Sequence, residues 1–245
     1  MRSLGMAVVV AMLLCGPPLA LGAKPADPPP ADAGPVAWIV MDADSGTVLA
    51  EKDADKRWPP ASMAKMMTVL LALEQVDAGK ASLDDMVPVS AKASKTGGSQ
   101  VYLAQGEAFP LRDMLAAVMI TSANDSSVAV AEHLAGSTEA FVQRMNERAQ
   151  QLGMTGTTYQ SVHGLPPGEG QTADLTTARD LAIVGRELMR HPEAMQWGGT
   201  SEQTFRNGSF VMRNTNHLVR TYAGATGLKT GYYAQAGFGV TATAK

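Results

Sequence analysis

One cysteine, Cys15, is all the thiol this chain has. It lies in an N-terminal segment with the features of a secretory leader, so a processed chain would carry none. Disulfides, thiolate metal sites and thiol catalysis then drop out of its chemistry. An excess of either charge is missing as well. Twenty Lys and Arg stand against 23 Asp and Glu, a net charge of -3. With no basic cluster in view, nucleic acid is not an expected partner. Four histidines, His133, His163, His191 and His217, are scattered without an H-x-x-x-H spacing, so neither a metal nor a cofactor is expected. No apolar run reaches the roughly 20 residues that a membrane span requires, and there is no internal repeat. What remains, 45% hydrophobic and 18% charged over 245 residues, is an ordinary soluble composition with length for one large domain or two small ones.

The leader reading rests on Arg2 as the positive end, the apolar residues 6–14, and Leu21-Gly22-Ala23 as a small-residue cleavage site. The apolar run breaks at Gly16-Pro17-Pro18, which disfavours a membrane anchor. Leu14 disfavours lipid attachment to Cys15, because such signals want a small residue there. Residues 1–23 are therefore expected to be a signal peptide. Residues 24–35, rich in Pro, Ala and Asp, follow as an extended tether. The folded body is expected over 36–245.

Within that body, residues 36–41 and 47–51 are apolar stretches joined by Asp42-Ala43-Asp44-Ser45-Gly46, a turn-rich link that predicts a β-hairpin. Pro59-Pro60 then opens a run to Glu74 that is apolar almost all round, the mark of a helix at the centre of a domain. Further helices are predicted over 111–119, 126–134, 138–152 and 177–189, the last stopped by Pro192. Strands are expected to return only at the end, over 204–212, 227–233 and 237–243. Strands at both chain ends around a helical middle predict an α+β domain whose antiparallel sheet draws on both ends of the chain.

Three short elements carry chemistry. In Ser62-Met63-Ala64-Lys65, the prolines fix the helix start near Ser62, where free N–H groups and the positive end of the helix dipole favour an oxyanion. Lys65, one turn on, shares a face with Ser62, and burial would lower its pKa toward that of a usable base. The same four residues also fit a helix cap followed by a lysine that reaches out to water. Ser122-Ala123-Asn124 ends a second apolar helix; it reads either as a polar inter-helix loop or as a relay hydroxyl next to an amide that binds substrate backbone. Lys229-Thr230-Gly231 lies in a strand, where Gly231 permits close approach of a substrate and Lys229 and Thr230 suit a carboxylate. A second copy, Lys95-Thr96-Gly97, precedes Ser122 and runs into Gly98-Ser99, so it is assigned to a loop.

With these elements in this order, the chain resembles the low-molecular-mass penicillin-binding proteins, the serine D-Ala-D-Ala carboxypeptidases. The likeness extends to residues 41–49, 60–68 and 141–153, to Ser122-Ala123-Asn124-Asp125, to His163-Gly164-Leu165, and to Asn214-Thr215-Asn216-His217-Leu218. The resemblance implies the β-lactamase/transpeptidase-like fold. It makes Ser62 the nucleophile toward peptidoglycan stem peptides, Lys65 the base and Ser122 the proton relay. Asn124, Lys229, Thr230 and Gly231 would bind substrate, and the backbone N–H groups of Ser62 and Tyr232 would form the oxyanion hole. β-Lactams would acylate Ser62, and the protein would work in the periplasm or cell envelope. A β-lactamase is disfavoured because no E-x-x-L-N-type segment separates Ser122 from Lys229, and Glu169 sits in a flexible setting. A DD-endopeptidase and an inert peptidoglycan-binding fragment stay open as alternatives.

The resemblance also implies one more strand after 237–243, lying between that strand and the N-terminal hairpin, and then a helix packed on the sheet. Neither follows before Lys245. The expectation is a C-terminally incomplete domain with an open slot in its sheet, and with membrane association only through a C-terminal segment absent here.

Overall fold

A computed structural model describes residues 8–13 and 34–245. In chain order its elements begin with strands β1 (Val8–Leu13), β2 (Ala37–Asp42) and β3 (Val48–Lys52). A 3₁₀ turn (Ala61–Ala64) then leads into helix α1 (Lys65–Asp77). The middle comprises β4 (Met86–Pro88), α2 (Ala91–Ser94), β5 (Ala108–Pro110), α3 (Leu111–Ile120), α4 (Asn124–Ala135), α5 (Thr138–Gln151), α6 (Ala178–Leu188) and α7 (Pro192–Gly199). The end holds β6 (Glu202–Phe205), β7 (Phe210–Arg213), α8 (Leu218–Thr221), β8 (Ala225–Tyr233) and β9 (Gly237–Ala244). Both chain ends do contribute to one antiparallel sheet, ordered β3-β2-β1-β9-β8, with helices making up most of the remaining regular structure among the described residues.

The β2–β3 hairpin forms where the sequence predicts it. Its turn is held by the Asp42 carboxylate, which accepts from the Ser45 backbone N–H at 2.8 Å and from the Ser45 hydroxyl. β2 alternates buried and half-buried residues, with Ala37, Ile39 and Met41 facing the helices. α1 is the central helix: every residue from Lys65 to Leu73 is buried, as an all-round apolar helix must be. Gly79, at φ +67°, lies just beyond its C-terminal end, where an L-residue with a side chain would be strained. α6 lies over β1 and β2, and α7 lies against β8.

Several expectations need correction. Ser62 is not in the first turn of an α-helix but in the tighter 3₁₀ turn ahead of it, entered through Ala61 at φ +48°. Strands do not wait for the C-terminus, because β4 and β5 pair in the middle of the chain. The strand predicted over 204–212 is two strands, β6 and β7, paired apart from the main sheet. Arg206, Asn207 and Gly208 all have positive φ and reverse the chain between them. Asn-Gly was the overlooked signal, being the dipeptide that hairpin turns favour. Pro192 does more than end α6: it occupies the first position of α7, where its missing N–H costs nothing.

The expected slot in the sheet is occupied. β1 lies between β2 and β9 and is antiparallel to both, with Val8 opposite Asp42 and Ala244, and Leu13 opposite Ala37 and Gly239. These six residues belong to the apolar run of the leader-like segment. The rest of that segment, and the tether as far as residue 33, lie outside the described residues.

Because β1 has a neighbour on each side, its backbone is a structural requirement of the sheet. Val10→Pro in the full 245-residue chain should destabilise the fold by on the order of 3 kcal/mol, through lost ladder bonds and displaced neighbours. Denaturant unfolding of the two chains side by side checks this. An unchanged midpoint would remove β1 from the folded body.

Candidate active site

The site forms where the 3₁₀ turn, the α3–α4 connection and β8 converge. β8 is the last strand in the order of the described sheet, and it crosses directly over the turn that carries Ser62. Gly231 makes the crossing possible, since a Cβ there would stand 2.6 Å from the Pro60 carbonyl oxygen and 3.1 Å from the Ser62 nitrogen. The strand can approach the nucleophile turn only with nothing at that position.

Lys65 lies wholly buried at the start of α1. Its Nζ donates to Ser62 Oγ at 2.8 Å and to the His163 carbonyl at 2.6 Å. Burial holds its pKa well below the ordinary lysine value. The nearby Lys229 charge lowers it further, while Asp174 and Asp125 pull it part of the way back. Burial thus favours the neutral form, which can accept a proton. Of the two readings the motif left open, the lysine that reaches water is excluded by this burial.

Ser122 sits at φ +64° in the three-residue link from α3 to α4, a conformation that costs a non-glycine residue about 1–3 kcal/mol. Its hydroxyl is buried and has no hydrogen-bond partner among the described residues. Asn124 is not part of the inter-helix link but is the first residue of α4. Its Nδ2 donates to the Gly97 carbonyl at 2.7 Å, and its Oδ1 is buried without a partner among the described residues. The loop that holds Lys95-Thr96-Gly97 therefore borders the site without supplying its lysine. Asp125, next along, accepts from the backbone N–H groups of Val101 and Leu103 and pins that loop in place.

Lys229 is buried on β8, and desolvation pushes its pKa down to about 7. Its Nζ donates to the Thr230 carbonyl, while the Thr230 hydroxyl reaches Thr215 Oγ1 at 2.7 Å. Tyr232 is exposed and stacks on Phe238 with ring centroids 4.3 Å apart. Ser62, Ser122, Thr230, Gly231 and Tyr232 all line one cleft of about 1050 Å³, with Ser99, Thr215 and Asn216 on its walls. Lys65, Asn124 and Lys229 are buried behind those lining residues. All the residues singled out from sequence thus come together around one opening.

Two contributors escaped the sequence reading as functional residues. His163 presents its main-chain oxygen to Lys65, a role no side-chain pattern encodes. Gly164, at φ +74°, lies so close to the nucleophile turn that a Cβ would stand 1.9 Å from the Ala61 carbonyl oxygen. The His-Gly pair was visible as a motif, but not its purpose.

Residues 23–245 match the family model described as D-alanyl-D-alanine carboxypeptidase. The chain is 39% identical over 210 residues to D-alanyl-D-alanine carboxypeptidase DacF of Bacillus subtilis (strain 168), covering 84% of this chain and 53% of that protein. It is 38% identical over 249 residues to DacC of Escherichia coli (strain K12), covering 98% of this chain and 60% of the relative. The chain therefore spans little more than half the length of these curated relatives. Among solved structures, the D-alanyl-D-alanine carboxypeptidase DacD of Francisella tularensis superposes with a TM-score of 0.78 at 25% identity, over 92% of this chain and 68% of that one. Penicillin-Binding Protein D2 of Listeria monocytogenes, solved in its ampicillin-bound form, gives 0.73 at 28% identity, over 85% and 88%.

The buried Lys229 amine has a stability signature. With a folded value near 7 and an ordinary value of 10.5, the unfolded chain binds more protons between those limits, so this residue's contribution makes the fold more stable as pH rises from about 7 to 10.5. Below about 7 its penalty is constant. Lys229→Met should flatten that part of the slope of unfolding free energy against pH, measured by chemical denaturation at fixed ionic strength.

Proposed function

The chain belongs to the D-alanyl-D-alanine carboxypeptidase family, and on that premise we propose that it is a serine acyl-transfer enzyme removing the terminal D-Ala from peptidoglycan stem peptides. The observation that carries the reading is the Ser62–Lys65 contact of 2.8 Å, with Ser62 lining the same cleft as Ser122, Thr230 and Gly231. A nucleophile needs its base within hydrogen-bond reach and in the unprotonated form, and burial shifts Lys65 toward the second condition.

The proposed steps assign one role to each of these groups. A peptide ending in a carboxylate enters along β8 as an added strand, a mode that gives backbone hydrogen bonds at a sheet edge. Lys229 supplies positive charge and Thr230 a hydroxyl for that carboxylate, and the Asn124 amide takes the substrate backbone. Ser62 Oγ bonds to the carbonyl carbon of the penultimate D-Ala while its proton passes to Lys65. The backbone N–H groups of Ser62 and Tyr232 receive the oxyanion. The C–N bond then breaks, and the proton travels from Lys65 through the Ser122 hydroxyl to the departing D-Ala nitrogen. Water hydrolyses the Ser62 ester and frees the shortened peptide. A β-lactam presents a strained amide and a carboxylate to the same groups and halts at the ester.

The leader-like sequence of residues 1–23 supports a location outside the inner membrane, in the periplasm or envelope. Among the described residues, no helix is long and apolar enough to cross a membrane.

Intact-protein mass after incubation with benzylpenicillin tests the proposal. A single penicilloyl adduct is expected on wild type and none on Ser62→Ala, whereas a folded wild type without adduct would overturn it. Turnover of monomeric against cross-linked muropeptides then separates terminal trimming, the expected result, from cross-link cleavage.

Acylation should also be bell-shaped in pH. The acid limb reports protonation of Lys65. The alkaline limb, beginning near 7 in the free enzyme, reports loss of the Lys229 charge that holds the carboxylate. Stopped-flow acylation rates between pH 5 and 9 give both limbs.

A further inference from the structure

Asp174 lies outside the three motifs, 5% exposed, on the segment that leads into α6. A carboxylate so buried is retained only where hydrogen bonds satisfy it. Here Oδ1 accepts the backbone N–H groups of Gln160 at 2.6 Å and Ser161 at 2.9 Å, while Oδ2 accepts the Ser161 hydroxyl at 2.7 Å. The Ser161 oxygen in turn accepts from the backbone N–H of Gly164 at 2.8 Å and, at 3.4 Å, from that of His163. Every bond in this set converges on a stretch of five residues. The stretch delivers one group to the chemistry, the His163 carbonyl that receives Lys65 Nζ at 2.6 Å.

The direction of that last bond matters. A neutral amine has two N–H groups and one lone pair. With one N–H committed to a fixed carbonyl, the amine is held beside Ser62, and in its neutral form it can exchange the donation to Oγ for a lone pair turned toward the hydroxyl proton. Thr68 ties the same stretch to α1 through the Val162 carbonyl at 2.8 Å, and Gly164 seats it against Ala61. The stretch is therefore clamped at both faces.

We propose that Asp174 is a positioning residue for acyl transfer, fixing the His163 carbonyl through Ser161 so that Lys65 is held in register with Ser62. It also places a negative charge behind the base. Lys65 is faced by Lys229 from β8, by Asp125 from α4, and by His163 and Asp174 from the segment after α5. The two roles separate experimentally, since Asp174→Asn removes the charge and Ser161→Ala removes only the link.

The inference rests on the acyl-transfer reading, and the test distinguishes the two. Acylation by benzylpenicillin is followed across pH for wild type, Asp174→Asn, Ser161→Ala and Ser161→Thr, with rates taken per site that finally carries the adduct. Ser161→Ala should slow acylation by about tenfold to 10²-fold with its acid limb unmoved, and Ser161→Thr, which keeps the hydroxyl, should recover part of that loss. Asp174→Asn should be slowed similarly, and its acid limb should move to lower pH, because losing the carboxylate lowers the Lys65 pKa further. Should Asp174→Asn acylate per titrated site at the wild-type rate with its limb unmoved, the proposal fails and the residue serves only folding, whatever fraction of the variant folds. Lack of an adduct on folded wild type would instead overturn the acyl-transfer reading, and this proposal with it.

Discussion

A lysine amine buried against a serine hydroxyl is the constraint around which the molecule is arranged. Taking an ammonium out of water costs several kcal/mol, a cost that is reduced when the amine gives up its proton. The surroundings of Lys65 fit the neutral amine: apolar neighbours along α1, a carbonyl acceptor from His163, and a second lysine close by that raises the cost of a second charge. The same environment that penalises the charge makes the nitrogen basic in function, so one desolvation effect serves packing and chemistry together.

The unusual backbone follows from the same arrangement. Ala61 and Ser122 hold positive φ without being glycine, and Gly164 and Gly231 leave room where any side chain would collide with the turn that carries Ser62. Three separate parts of the chain, the 3₁₀ turn, the segment at His163-Gly164 and β8, are therefore packed together around the turn that carries Ser62. Strain of this kind is tolerated where the surroundings over-determine it, and here the carboxylates of Asp125 and Asp174 pin the two loops that border the meeting point.

Side-chain chemistry was readable from sequence to the extent that it depends on residue type and order. Ser62, Lys65, Ser122, Asn124 and Lys229 could be picked out because few other uses exist for that set in that order, and the sheet built from both ends followed from where the β-rich stretches lie. Main-chain chemistry was not readable. The His163 carbonyl, the role of Gly164 and the Asp125 and Asp174 clamps depend on which loops meet, and residues 98 apart in sequence, such as Lys65 and His163, carry no local sign of their contact. Short elements were lost for a related reason. β4, β5 and α8, at three or four residues each, are too brief to show a period, and the Arg206 turn was passed over because its flanks read as one continuous strand.

Strand β1 makes a single stretch of chain answerable to two processes. Residues 8–13 complete the sheet between β2 and β9, and the same residues fall in the apolar run of the segment whose sequence reads as a leader. If that segment acts as a leader, a polypeptide that folds first commits part of it to the sheet as β1. A polypeptide that is exported and trimmed first arrives with two facing ladders, six residues deep, whose N–H and C=O groups await an extended segment from elsewhere. Order of events, and not sequence alone, then decides which molecule is made.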